Sequence, residues 1–137
     1  MPALFTVENK CHIMARNNLE ERLIDFSVMI LEIIALLPDS PTGKHFGGQL
    51  LRCGTSPSFN YGEAQSAESR RDFIHKIHIV LKELRETHVA LKSIHKAALI
   101  SNNPIIPRAI RECDELIAIF VTSSKTARKN MEKENKK

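Results

Sequence analysis

The chain has 137 residues, enough to bury one hydrophobic core but too few for two independent domains. Hydrophobic residues at 42% and charged residues at 26% are globular proportions, and they exclude disorder along the whole chain. The formal net charge of +4 is a mild excess that favours a polyanionic partner without requiring one. We therefore expect residues 1–137 to form a single domain.

The first predicted helix follows a segment without a clear hydrophobic period. We expect residues 1–17 to form an irregular lead-in, after which Asn18 offers a helix cap with Glu21 three residues on. Two apolar series then predict a helix that packs on two sides, until Pro38 ends it. The first series is Leu19, Leu23, Phe26, Ile30, Ile33 and Leu37, and the second is Ile24, Val28, Leu31 and Ile34.

The second predicted helix, from about Thr42 or Gly43 to Gln65, is rich in helix-breaking residues. These are Gly47, Gly48, Gly54, Pro57 and Gly62. Each glycine costs about 1 kcal/mol of helix propensity relative to alanine, and the proline costs about 3 kcal/mol. Because small residues let two backbones approach closely, we expect a thin helix built for close packing.

The third helix is predicted from about Ala67 to Ile100, with Ser66 or Ser69 as its cap. Its core positions keep a strict seven-residue repeat, which predicts a long, near-antiparallel packing with left-handed supercoil. The two series are Phe73, Val80, Thr87 and Ile94, and Ile77, Leu84, Leu91 and Ala98.

A fourth helix follows the break at Asn102, Asn103 and Pro104, with Pro107 in its first turn. Residues 125–137 then form a basic C-terminal tail. Four helices with short connections predict an all-α fold, an antiparallel up-down-up-down four-helix bundle. The apolar stripes of the first and fourth helices are wider than one neighbour needs, so we expect a homo-oligomer.

The cellular location follows from the cysteines and from the absence of long apolar runs. Cys11, Cys53 and Cys113 are odd in number and widely spaced, which argues against a disulfide framework or a zinc site. No stretch reaches the roughly 18 apolar residues of a membrane span. The N-terminus lacks the features of a signal peptide. We expect a reduced, cytoplasmic protein with no membrane association.

A stripe of basic residues occupies adjacent outward positions of the third helix. It consists of Arg71, His75, His78, Lys82, Arg85, Lys92 and Lys96. Glu83 and Glu86 lie to one side and can pair with lysines at helical spacing, so a solvated charged face is one interpretation. The other is binding of a phosphate backbone, without base stacking because no aromatic residue interleaves the stripe.

Neither a metal site nor a catalytic site is indicated. His75 and His78 share one face, but Arg71, Lys82 and Arg85 beside them would repel a cation. No local signature of a catalytic triad or of a phosphate-binding glycine loop occurs. We therefore predict a non-enzymatic protein without a cofactor.

Three polar residues, Arg52, Asn60 and Glu63, project from the closely packed second helix. Polar groups held in such a segment need partners. One interpretation is a structural hydrogen-bond network within or between subunits. The other is a shared polar site at a subunit junction.

An ordered series of residues in the second and third helices is more specific than any short motif. It comprises Arg52-Cys53-Gly54-Thr55-Ser56, Asn60-Tyr61, Glu63-Ala64-Gln65, Ala67-Glu68-Ser69, Asp72-Phe73-Ile74-His75-Lys76, Leu81-Lys82-Glu83 and Glu86-Thr87. In these residues the chain closely resembles the four-helix-bundle proteins called 23S rRNA intervening sequence proteins. The resemblance is best over residues 49–91, and it extends more weakly from 19 to 129.

The resemblance implies a bacterial, antiparallel four-helix bundle that assembles into rings, typically pentamers. The accessory proteins of diversity-generating retroelements are a related branch of similar fold, which binds nucleic acid and a reverse transcriptase. The chain departs from the family pattern at Gly62, where relatives usually carry a charge, and at Pro57-Ser58-Phe59, where they carry apolar or small residues.

The leading hypothesis is thus a homo-oligomeric bundle that binds RNA or DNA. Its phosphate contacts would come from Arg52, Arg71, His75, Lys82, Arg85 and Lys92. The alternative is a protein–protein assembly or scaffold module whose basic faces are only solvated.

Overall fold

The computed structural model describes residues 7–136, and side chains within residues 18–136. This part of the chain consists of four helices and contains no strand, which confirms the all-α prediction. The helices are α1 Val7–Leu36, α2 Pro41–Gln65, α3 Arg70–Lys96 and α4 Ile105–Asn135.

The helices pack in chain order around one core. α1 contacts α2 and α4, and α3 contacts the same two helices. Within the described residues, the diagonal pairs α1–α3 and α2–α4 do not pack directly on each other. Connections of four residues (37–40), four (66–69) and eight (97–104) reverse the chain each time. The result is the predicted up-down-up-down bundle, in which the α1/α2 side lies opposite the α3/α4 side.

Serine side chains fix the start of two helices. The Ser40 hydroxyl accepts a hydrogen bond from the Gly43 backbone N–H at 3.1 Å, and the Ser69 hydroxyl accepts one from the Asp72 N–H at 3.0 Å. Both serines have extended backbone, as N-cap residues do. Of the two caps that the sequence offered for α3, the structure therefore uses Ser69.

The start of α4 combines a side-chain cap with a proline. Asn103 Oδ1 accepts a hydrogen bond from the N–H of Ile105, the first residue of α4, at 3.0 Å. Pro107 lies in the first turn, where its missing N–H would have no intrahelical partner. The residues that end the connection after α3 and those that begin α4 are thus adjacent in the sequence.

The predicted lead-in is wrong for residues 7–17, because α1 already begins at Val7 and Asn18 lies inside the helix. This stretch contains neither glycine nor proline, so a helix nucleated by the buried seam further on can extend into it at little cost. Residues 1–6 lie outside the described residues.

The core consists of the predicted seams. Fully buried side chains come from every helix, among them Leu23, Phe26, Ile30, Leu50, Ile77, Leu84, Leu91, Leu116 and Phe120. The heptad series of α3 fails only at its end, because α3 stops at Lys96 and Ala98 lies exposed in a left-handed conformation with φ 51°. Among the described helices, none has both the length and the apolarity that crossing a bilayer requires.

Close approach of two backbones explains only part of the small-residue content of α2. A Cβ atom on Gly54 would lie 2.7 Å from Cγ2 of the fully buried Ile30, so α1 touches the α2 backbone there. Cβ atoms on Gly48 and Gly62 would meet nothing within 4 Å. Pro57 is buried and α2 continues through it. The thin-helix interpretation therefore holds at Gly54 but not at Gly48 or Gly62.

This contrast predicts opposite effects of the same substitution at two positions. Gly54→Ala should lower the free energy of unfolding by about 1 kcal/mol or more, because overpacking against the stiff Ile30 outweighs the gain in helix propensity. Gly48→Ala, the matched control, should raise it by about 1 kcal/mol. Urea denaturation at one fixed protein concentration measures both. Equal stabilisation by the two changes would contradict the close contact at Gly54.

Candidate nucleic-acid interface

A groove between α3 and α4 gathers basic side chains from both helices. Its volume is about 380 Å³. Its polar lining consists of His78, Lys82 and Arg85 from α3 and Ser124, Lys125 and Arg128 from α4. Carboxylates are missing from the lining in the described part of the chain. We call this surface the α3/α4 basic groove.

Helical spacing explains why these residues meet. Steps of four and three residues from His78 to Lys82 and Arg85 keep the α3 side chains on one face. Lys125 and Arg128 are three apart on α4 and point to the same side. Leu81 and Val121 supply the apolar part of the lining between the two rows.

Polar contacts between α3 and α4 bracket the groove. On one side, Arg70 Nη2 lies 2.7 Å from Glu134 Oε1, and on the other, His88 Nε2 lies 2.9 Å from Asp114 Oδ1. Between them, no ion pair of Lys82, Arg85, Lys125 or Arg128 occurs among the side chains of residues 18–136. Four uncompensated cations in one groove repel each other and favour an anion.

His78 connects two other residues of the groove through hydrogen bonds. Its Nε2 lies 2.9 Å from Arg128 Nη2 and 3.0 Å from Ser124 Oγ. Because a guanidinium only donates, Nε2 must accept from Arg128, and the imidazole is neutral in this arrangement. Burial lowers the pKa of His78 below 6.5, and the positive charges of Arg128 and His75 lower it further.

Arg52, an expected phosphate contact, has protein partners on the α2/α3 side. Its guanidinium donates to Glu83 at 3.1 Å, to Glu86 at 2.7 Å and to Gln49 at 3.0 Å. The bond to Glu86 and the two negative charges raise the pKa of Arg52. The two glutamates thus pair with α2, rather than with lysines along α3 as the sequence suggested.

The three polar residues expected to form one network have separate partners within the chain. Asn60 Nδ2 donates to the Ser56 carbonyl at 3.1 Å and to the Ser56 hydroxyl at 2.8 Å. Glu63 accepts from Lys76 Nζ at 2.7 Å. Neither bond reaches Arg52. A network or a polar site between subunits stays a prediction.

The remaining expected contacts lie on α3 outside the groove. Arg71, His75 and Lys92 are exposed, and none of them lines the groove, although His75 is near enough to influence His78. The sequence interpretation did not place Lys125 and Arg128 beside the stripe of α3, because it assigned them to a basic C-terminal tail. Ser124 and Ala127 continue the buried period of α4 past Phe120, and that continuation was the available signal.

The opposite side of the bundle carries an apolar surface. Ile24, Val28 and Leu31 of α1 are 40%, 48% and 46% exposed, and Leu51 of α2 is 53% exposed. We call these four residues the α1/α2 apolar face. The second apolar series of α1 is therefore largely surplus to the core, whereas on α4 Leu116 is fully buried and Ile119 and Val121 are half-buried.

Residues 17–122 match the family model described as 23S rRNA-intervening sequence protein. The chain belongs to this family. The chain is also similar to the solved structure of a protein of unknown function from the S23 ribosomal protein family of Bacteroides thetaiotaomicron, with 28% sequence identity and a TM-score of 0.72. The similarity covers 78% of this chain and 98% of that one. No curated protein matches the chain.

In this member of the 23S rRNA-intervening sequence protein family, the pairing of Arg52 predicts a mainly structural role. Arg52→Ala should lower the midpoint of urea denaturation, because it leaves the Glu83 side chain, only 10% exposed, without its partner. The control is Lys44→Ala, whose pair with Asp39 is 77% and 93% exposed and should leave the midpoint unchanged. An Arg52→Ala midpoint equal to that of the unaltered protein would show that the pair does not hold α2 to α3.

Proposed function

We propose that this protein is a non-enzymatic, homo-oligomeric helical bundle that binds RNA or DNA through the α3/α4 basic groove. One observation carries the proposal: Lys82, Arg85, Lys125 and Arg128 line one groove, and no carboxylate from residues 18–136 lines it with them. A polyanion would relieve their mutual repulsion and release its own counterions.

The chemistry of the groove favours the sugar-phosphate backbone over the bases. Its lining contains neither tyrosine nor phenylalanine within the described residues, so bases have no aromatic surface on which to stack. Lysine and arginine contacts to phosphates position a nucleic acid without reading its sequence. We therefore expect binding that depends strongly on salt and weakly on sequence.

The exposed residues of α3 extend the groove into a longer surface. Arg71 and His75 precede the groove residues, and Lys92 follows them on the same stripe. From Arg71 to Lys92 the helix rises about 30 Å, roughly one turn of duplex DNA. Arg52 contributes less in this proposal, because its donors already face Glu83 and Glu86.

Self-association is the second part of the proposal. The α1/α2 apolar face lies on the far side of the bundle from the α3/α4 basic groove, so copies can cover one without blocking the other. A ring, a pentamer by family resemblance, would present several grooves to one nucleic acid and raise the overall affinity. The accessory proteins of diversity-generating retroelements, the related branch described above, bind nucleic acid and a reverse transcriptase. This resemblance supports nucleic-acid binding by the assembly and a further protein partner. The buried free thiols of Cys53 and Cys113 fit a reducing, cytoplasmic location.

The competing function is a protein–protein scaffold. A second groove, of about 560 Å³ between α2 and α3, favours it, because Phe46, Val89 and Ala90 give that groove an apolar lining. A protein scaffold would bind its partner without the salt dependence expected of phosphate contacts.

Neutralising groove lysines should weaken nucleic-acid binding and its dependence on salt. For the double variant Lys82→Gln/Lys125→Gln, the slope of log affinity against log salt for a duplex of about 20 base pairs should become shallower by about 2. Fluorescence anisotropy between about 50 and 200 mM salt measures it.

The matched control is Lys44→Gln/Arg108→Gln, which removes the same charge from exposed positions outside both the groove and the basic stripe of α3. An equal loss in both double variants would reject the groove as the binding surface. Failure of the unaltered protein to bind RNA or DNA at low salt would reject the proposed function.

Charges placed on the α1/α2 apolar face should dissociate the oligomer. Burying a valine and a leucine contributes about 3 kcal/mol or more per interface, so Val28→Glu/Leu31→Glu should weaken association by over about 100-fold. Light scattering should then give the mass of one chain. Val89→Glu, on the 61% exposed Val89 of α3, is the control and should leave the mass unchanged. A single-chain mass for the unaltered protein would refute self-association.

A further inference from the structure

His78 can form a hydrogen bond within the α3/α4 basic groove whether or not its Nε2 atom carries a proton. Nε2 lies within hydrogen-bond distance of both Arg128 and Ser124. Without a proton, Nε2 can accept from Arg128, as the structure shows. When Nε2 carries a proton, in the imidazolium or in the other neutral tautomer, it cannot accept from Arg128, but it can donate to the Ser124 hydroxyl, which accepts as readily as it donates. Nε2 therefore has a partner in place with and without a proton, and a titration of His78 distinguishes proton uptake from a change of tautomer.

The surroundings of His78 oppose the protonated state while the groove holds no anion. From α4, Lys125 and Arg128 face the same groove, and from α3, Lys82 and Arg85 do. His75 adds its charge from one turn away, and α2 contributes no residue to the lining. Each of these groups is basic, so their charges disfavour the imidazolium form of His78.

The sign of the linkage to folding follows from the lowered pKa of His78. Its folded-state pKa lies below the unfolded value of 6.5, because burial and then the charges of Arg128 and His75 disfavour the imidazolium. The stabilisation from neutral His78 is present above pH 6.5 and is lost as the pH falls through the folded-state pKa. A bound anion would reverse the electrostatic part of this effect.

We propose that the α3/α4 basic groove is a proton-coupled oxyanion site, in which a bound phosphate takes the Arg128 guanidinium from His78, and His78 then takes up one proton and donates it to Ser124 in a hydrogen bond. The inference rests on the proposed function for the source of the phosphate. The one bond that forms is the N–H bond at Nε2 of His78, and its proton comes from hydronium or a buffer acid in the solvent, which loses it.

Guanidinium chemistry favours this exchange. Arginine binds phosphate through two parallel, charge-assisted hydrogen bonds, which are stronger than its single bond to a neutral imidazole. Lys82 and Lys125 supply further charge in the same groove. By linkage, an anion that promotes protonation of His78 must itself bind more tightly when His78 is protonated. Acidification therefore strengthens binding of the anion.

The direct test is to titrate His78 by side-chain NMR with its signal assigned from the His78→Gln variant. The three conditions are chloride alone, sulfate at matched ionic strength, and a thymidine oligonucleotide without terminal phosphates. Sulfate and phosphodiesters both stay fully ionised across the range, so only the protein titrates. We expect sulfate and the oligonucleotide each to raise the pKa of His78 relative to chloride.

Affinity for the oligonucleotide gives a second readout. It should increase about threefold to tenfold from about pH 7.5 to about pH 5.5, and His78→Gln should remove most of that increase. His95→Gln removes an exposed histidine outside the groove and should retain it. In the Ser124→Ala variant, oligonucleotide binding should raise the pKa of His78 by less, because the variant lacks the acceptor for the protonated imidazole but keeps His78.

The outcomes separate the inference from the proposed function. Oligonucleotide binding with an unchanged His78 pKa would overturn the proton coupling and leave the nucleic-acid function standing. A pKa raised by sulfate, with no oligonucleotide binding, would support the oxyanion site and reject nucleic acid as its ligand. No response to either anion would overturn both.

Discussion

Ile77, Leu84 and Leu91 recur every seven residues on α3, and each is fully buried. A helix that keeps this period must lie nearly parallel to its neighbours along its whole length, and α3 does so between α2 and α4. The period also assigns the remaining α3 residues to sides. Glu83 and Glu86 fall next to α2, His78 and Lys82 fall next to α4, and Arg85 lines the grooves on both sides. The charge distribution of the molecule therefore follows from its apolar packing.

Basic residues on the two sides of α3 have different surroundings. Towards α2, Arg52 and Lys76 form ion pairs with carboxylates. These ion pairs join α2 to α3 and neutralise the charge of both cations. Towards α4, basic residues from both helices meet, and the contacts of Arg70 with Glu134 and of His88 with Asp114 lie beyond the groove on either side. The first arrangement stabilises a bundle, and the second is suited to an external anion.

The sequence allowed the helices to be predicted because their apolar periods are long and their breaks are strong. Pro38, Ser69 and Pro104 lie in the three connections and mark the breaks between helices to within a few residues. The start of α1 was missed because a helix can extend through residues with no period of their own once packing has nucleated it. Residue spacing and capping signals near the start of α1 therefore do not reveal this extension, because its cause lies further along the chain.

The groove residues on α3 could be predicted from the sequence, but their meeting with the groove residues on α4 could not. Lys82 and Arg85 were expected to contact a ligand because their stripe is visible in the sequence. That Lys125 and Arg128 face the same stripe depends on how far α4 continues and on how it is aligned with α3. Arg52 shows the opposite case, since a cation that looks available in the sequence is matched by carboxylates from a neighbouring helix.

The polar contacts across α3 and α4 also bear on the uniqueness of the fold. In an antiparallel pair, the residue numbers of facing positions have a nearly constant sum, and Arg70 with Glu134, His78 with Ser124 and His88 with Asp114 all obey this relation. A slip of α4 by seven residues would keep apolar side chains against the seam of α3. It would place His88 near Val121 and separate all three pairs at once. The contacts thus select one alignment among several that the hydrophobic repeat alone would accept.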